Sequence, residues 1–117
     1  MEDLGPYITA WRARWAREAV ETAARAGRMR ALAGVLAAAL RTEFGARRVW
    51  LIGSLARGKF GPRSDLDLVA EGIAPGDLFR ACARAQQLAG DVEVDLAPGE
   101  DLRPAARRAL EREGVEL

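Results

Sequence analysis

The spacing of apolar positions along the chain switches between helical and alternating, and each switch marks an element. Over residues 6–26, Ile8, Trp11, Trp15 and Ala19 recur at helical spacing, with Arg12, Arg14, Arg17 and Glu21 mostly elsewhere on the surface. Pro6 suits a first helical position. A second helical pattern covers 28–44 through Met29, Leu32, Leu36 and Leu40, and Gly45 stands where a C-terminal cap belongs. Gly27 either interrupts one bent helix or separates two, and the pattern leaves both open. Residues 47–52 then read as a strand, 54–58 as a short helical turn and 66–70 as a second strand. A turn at 72–76 leads into a helix over 77–89, with Leu78, Phe79, Cys82 and Leu88 as its expected core residues. Val92, Val94 and Leu96 alternate with Glu93 and Asp95 in a third strand. Asp101 is placed to cap a last helix over 102–113, and 115–117 is either a short extra strand or a tail.

This order predicts an α/β (α+β) domain with helices against one face of a small sheet. The first two strands are joined by roughly a dozen residues with little helix, so that pair is expected to be antiparallel and the sheet mixed. The expected organisation is a single domain over 1–117, with 1–28 an N-terminal helical extension and 29–117 the core.

Composition narrows the chemistry. The 117 residues suit one small domain, and 50% of them are hydrophobic, enough for one core. Eighteen basic and 17 acidic residues nearly cancel, which argues against a general nucleic-acid binder. No apolar run approaches the ~18 residues of a membrane span, and Met1-Glu2-Asp3-Leu4 lacks the basic start of a signal peptide, so a cytoplasmic location is expected. Cys82 is the single cysteine, which excludes an intrachain disulfide; its place on an apolar helix face suggests an inert thiol. There is no histidine, which removes His-based triads and nearly all zinc sites. Catalysis must use carboxylates, hydroxyls, arginines, the single lysine Lys59 or the backbone.

Residues 49–68 concentrate that chemistry. The apolar run 49–52 ends in Gly53-Ser54, whose backbone N–H groups can receive a phosphate, Gly53 allowing close approach. In Asp65-Leu66-Asp67-Leu68 the carboxylates point to one face, about 6.5–7 Å apart along the strand, and the leucines to the other. Asp95 obeys the same alternation on its own strand, with Glu93 the alternative third carboxylate. If these strands are neighbours, about 4.8 Å apart, three carboxylates share a surface. Mutual repulsion would raise their pKa values unless a cation were present, and Mg²⁺ suits such oxygen donors while leaving positions for substrate phosphates. Arg57, Lys59 and Arg63 lie on the connecting segment and can neutralise a triphosphate.

Gly53-Ser54, followed after ten residues by Asp65-Leu66-Asp67-Leu68, resembles the nucleotidyltransferase superfamily that includes DNA polymerase β. The fuller string Gly-Ser-x-Ala-Arg-Gly, then Ser-Asp-x-Asp-Leu, is similar to its smallest branch, the minimal nucleotidyltransferases (MNT), antitoxins that act beside HEPN-domain toxins. The resemblance covers the chain from about Met29 onward. It implies a nucleotidyltransferase fold, a small mixed sheet of three or four strands flanked by about four helices. It implies Asp65, Asp67 and Asp95 as catalytic and metal ligands, two Mg²⁺ ions, and nucleotide binding at Gly53, Ser54, Arg57 and Ser64. It further implies transfer of AMP from ATP to an acceptor hydroxyl, in the antitoxin branch a tyrosine of the partner HEPN toxin. Alternatives are a nucleotidyltransferase acting on a small molecule such as an aminoglycoside, and a non-catalytic toxin-binding module. The chain's length leaves no second domain to grip an acceptor, so another protein, a second copy or an oligomer interface is expected to present it. Trp11 and Trp15 either form a partner or dimer surface or pack on the domain's own core. The Arg47-Arg48 and Arg107-Arg108 pairs are expected to be solvated.

Overall fold

A computed structural model of the protein describes residues 3–58 and 65–117. Both helical patterns at the N-terminus belong to one helix, α1 (Gly5–Phe44), 40 residues and about 60 Å long. Gly27 costs this helix about 1 kcal/mol against alanine. Its neighbours Ala26 and Arg28 are strong helix formers, and open space surrounds it, so nothing forces a break. The helix ends where expected: Gly45 takes the left-handed conformation, its N–H donates to the Arg41 carbonyl and the N–H of Ala46 donates to that of Leu40.

The sheet follows. Strand β1 (Arg48–Ile52) runs directly into the one-turn helix α2 (Gly53–Ala56), and β2 (Leu66–Glu71) returns antiparallel to β1. Helix α3 (Leu78–Ala89) crosses over to β3 (Val94–Pro98), which pairs parallel with β2. Helix α4 (Pro104–Glu113) leads to β4 (Val115–Glu116), antiparallel to the other edge of β1, so residues 115–116 form a strand. The order across the mixed sheet is β3-β2-β1-β4.

One face of the sheet carries the main core. Val49, Leu51, Leu66, Leu68 and Ala70 pack with Ala33, Leu36, Ala37 and Leu40 of α1 and with Ala81, Ala85 and Ala89 of α3. The alanines set the rotation of α3, because small residues let it lie close to α1. Phe79, expected in the core, is therefore 85% exposed, while Leu78, Cys82 and Leu88 are half-buried. The third strand begins at Val94 rather than at Val92. The Gln86 amide accounts for this: it donates to the carbonyls of Gly90 and Val92 and accepts from the N–H of Val94, closing a tight turn there.

The opposite face is covered in part by α4, so the helices lie on both sides rather than on one. Leu110 packs there on Trp50 and Val69. Helix α4 starts at Pro104, and Asp101 makes no side-chain cap; proline holds the preceding Arg103 extended and fits a first helical position. Arg47, Arg48 and Arg108 are exposed as expected, Arg107 is half-buried, and Arg48 and Arg107 make ion pairs at this face. Arg107 pairs with the buried Glu71, and Arg48 lies over the Trp50 ring and bonds Glu116 at 2.8 Å. Among the described residues no helix is long and apolar enough to cross a membrane.

Candidate active site

Strand alternation and sheet register decide which side chains meet on the second face. In β2, Leu66, Leu68 and Ala70 face the main core, which leaves Asp67, Val69 and Glu71 for the α4 side. The parallel register places Asp67 directly beside Asp95, and the antiparallel register places Asp67 beside Ile52, the last residue before Gly53. Two carboxylates and the Gly-Ser turn therefore adjoin on one surface at one end of the sheet.

The approach at Gly53 is close. Its φ is +81°, a conformation that favours glycine, and a Cβ there would sit 2.5 Å from Asp67 Oδ2. The turn thus lays its backbone against the Asp67 carboxylate. Ser54 is half-buried in α2, and Arg57 closes the turn with its N–H on the Gly53 carbonyl at 3.2 Å. The Arg57 guanidinium lies 4.0 Å from Glu113 of α4. Arg30 of α1 reaches the Leu55 carbonyl at 3.5 Å and ties α2 to the long helix.

Asp67 is half-buried, Asp65 and Asp95 are exposed. Burial pushes the Asp67 carboxyl above its ordinary value, and the charges of Asp95 and Asp65, with a hydrogen bond to Asp95, push it the same way. Glu93 is exposed, precedes the strand and is not among the groups that act on Asp67, so Asp95 is the carboxylate that the fold brings to it. Ser64, Lys59 and Arg63 lie outside the described residues.

Among the described residues no group of three or more carboxylate or thiol side chains converges into a complete metal cage. Mg²⁺ does not require one, since it binds through one or two carboxylates and completes its shell with water and substrate phosphates. The donors at this end of the sheet are hard carboxylate oxygens crowding one another, and they fit such a cation.

The sequence reading missed an apolar hollow beside the carboxylates. It is about 290 Å³, lined by Ile52, Gly53, Val69, Leu102 and Leu110, with Arg57 and Glu113 as charged members. That volume is near the lower end of ligand pockets, roughly 300–1,000 Å³. The signal was present in the helical spacing of Leu102, Ala106, Ala109 and Leu110, but only the fold shows that α4 brings it over Val69.

Residues 35–117 match the family model described as nucleotidyltransferase domain. Among solved structures, that of a candidate minimal nucleotidyltransferase is 33% identical, with a TM-score of 0.65 over 79% of this chain and 95% of that one. A crystal structure of a toxin–antitoxin with AMP-PNP shares the fold at 18% identity and a TM-score of 0.52, over 61% of this chain and 59% of that one. No curated protein matches the chain.

Proposed function

This chain belongs to the nucleotidyltransferase domain family, and we propose that it transfers AMP from ATP, with Mg²⁺, to a tyrosine hydroxyl of a partner HEPN-domain toxin. Asp67 and Asp95, with Asp65 beside them, hold the cation. When bound it neutralises the phosphates and lowers the pKa of the acceptor hydroxyl. Gly53 and Ser54 receive the β- and γ-phosphates through the backbone N–H groups at the start of α2. Arg57 neutralises the departing pyrophosphate, and Ser64 completes the nucleotide contacts. The apolar hollow against Val69 and Leu110 takes the organic part of the nucleotide.

In the transfer, the acceptor oxygen forms a bond to the α-phosphorus while the bond from that phosphorus to the pyrophosphate oxygen breaks. The exposed Asp95 carboxylate takes the hydroxyl proton. Asp67, less exposed and pressed by Gly53, holds its position for the α-phosphate. Pyrophosphate leaves on the Gly-Ser side.

The observation that carries this reading is the register of Asp67 against Asp95 with the Gly53 backbone in contact with Asp67. Two like charges packed beside a glycine turn cost stability without a cation and an anion to bind, which makes an inert toxin-binding module the weaker account. The protein half of the reading rests on the likeness in fold to a toxin–antitoxin structure. The test is incubation with α-labelled ATP, Mg²⁺ and the product of the neighbouring gene. Label on that protein, lost with Asp67→Asn and with chelator, is the expected result. Label only on an added aminoglycoside, or a complex that forms without label, refutes it.

A further inference from the structure

The apolar stripe of α1 does not stop where the domain does. In its second half Ala26, Met29, Ala33, Leu36 and Leu40 are buried against the sheet and α3. The same helix face continues through Leu4, Ile8, Trp11, Trp15, Ala19 and Thr22, yet residues 3–21 are all exposed, with Trp11 at 49% and Trp15 at 61%. Trp11 and Trp15 stack on each other, ring centroids 6.5 Å apart, and on no core residue. The family match begins only at residue 35, so this bare arm lies wholly outside it. A helix in water gains its stability mainly by packing an apolar face, and among the described residues nothing covers this one.

The pattern of the stripe specifies the occupant. Its positions 4, 8, 11, 15, 19, 22 and 26 map onto themselves when the helix is reversed about Trp15. Leu4 then falls opposite Ala26, Ile8 opposite Thr22, and Trp11 opposite Ala19. The first half is bulky and the second half small, so reversal sets large against small on either side of the axis, where Trp15 meets its own copy. The small half is already concave: Ala19, Thr22, Ala23 and Ala26 line an open notch of about 570 Å³, with Trp15, Gly58 and the charged Glu18 and Arg30 as its other members. Along one edge, Glu18 comes beside Arg14 of the reversed helix, and symmetry repeats the pair. The length also matches, because the reversed helix ends where Ala26 enters the domain.

We propose that α1 pairs antiparallel with α1 of a second copy about a two-fold axis at Trp15, with Trp11 of each copy seated in the Ala19–Ala23 notch of the other. Half the surface of a helix segment ~33 Å long is roughly 600 Å² per copy, so about 1,200 Å² in total, at the lower edge of stable specific complexes. The pairing sets Leu4 of each copy opposite Ala26 of the other, which shares its hollow with Gly58 just beyond that copy's catalytic turn. It does not depend on the proposed reaction, and it is read by mass rather than by activity.

Sedimentation of the full chain at about 50 μM tests it. A dimer is expected. Ala19→Arg, on an exposed position, fills the notch and should give a monomer with unchanged helix content. Arg14→Glu and Glu18→Arg should each weaken the dimer about tenfold, and the double variant should restore it. A monomeric parent chain, a dimer indifferent to Ala19→Arg, or a charge exchange that does not rescue overturns the proposal. So does a parent chain that stays monomeric and uses this face only to bind the acceptor protein.

Discussion

The second face of the sheet has two ends, and β2 contributes a carboxylate to each. At one end Glu71 is buried and met by Arg107, with Arg48 4.0 Å away. At the other, four residues earlier on the same strand, Asp67 has Asp95 beside it and Gly53 pressed against it. Two turns of the alternation thus give opposite electrostatics. Glu71 is neutralised within the chain, and its charge fastens α4 to the sheet. Asp67 is crowded by its own kind, and the chain supplies it no cation of comparable closeness among the described residues. A buried charge that the fold satisfies belongs to structure; one that the fold aggravates is set for something from outside.

Replacing single groups at each end tests this contrast. The largest effect is expected at the crowded end. Asp67→Asn should reduce nucleotidyl transfer by at least about 10²–10³-fold, the scale of losing one preorganised group at a reacting centre. In metal-free buffer the same variant should unfold at an equal or higher urea concentration, because it removes a like-charge contact. An Asp67→Asn protein that is clearly less stable would show that the carboxylate is structural after all. Gly53→Ala comes next: a side chain at φ +81° costs about 1–2 kcal/mol, and its Cβ displaces the Asp67 carboxylate, so activity and stability should fall together. A variant with intact activity would separate the glycine from the site.

At the satisfied end the expected losses are in stability alone. Arg107→Ala leaves Glu71 only the more distant Arg48 and should lower the urea midpoint, and Glu71→Gln in that background should recover part of the loss; additive effects would mean the two are not coupled. The smallest effect concerns Glu100, which accepts the Gly72 N–H at 2.6 Å and whose carboxyl is held below its ordinary value chiefly by that bond. A depressed folded pKa contributes stability that is full above the unfolded value, about 4.3, and is lost as pH falls through the folded one. Glu100→Gln should therefore lower stability slightly in the neutral region, leave strongly acid pH nearly unchanged, and so flatten the acid limb of the stability profile between them. An unaltered acid limb would place the Glu100 contact outside the folding equilibrium.

Much of the architecture was legible without coordinates. The strands, the short turn at α2, the antiparallel β1–β2 pair and the cap at Gly45 follow from local signals. The misreadings have one cause. Phe79 was assigned to the core because it is large, whereas Ala81, Ala85 and Ala89 set the helix rotation by being small. Arg107 was assigned to solvent because arginines usually are, whereas it is half-buried and pairs with Glu71, 36 residues away.

What the sequence determined by itself is the local part: Asp65 and Asp67 share a face, glycine stands at the end of β1, and leucines occupy the reverse side. These follow from the two-residue period of a strand and the backbone freedom of glycine, which need no distant partner. Only the tertiary structure decided that Asp95 meets Asp67, that Gly53 closes on that carboxylate, that α4 roofs the same face, and that α1 runs on past the sheet. Those depend on sheet register and helix packing, which are set by burying apolar area between segments far apart in the chain, and no local period encodes them.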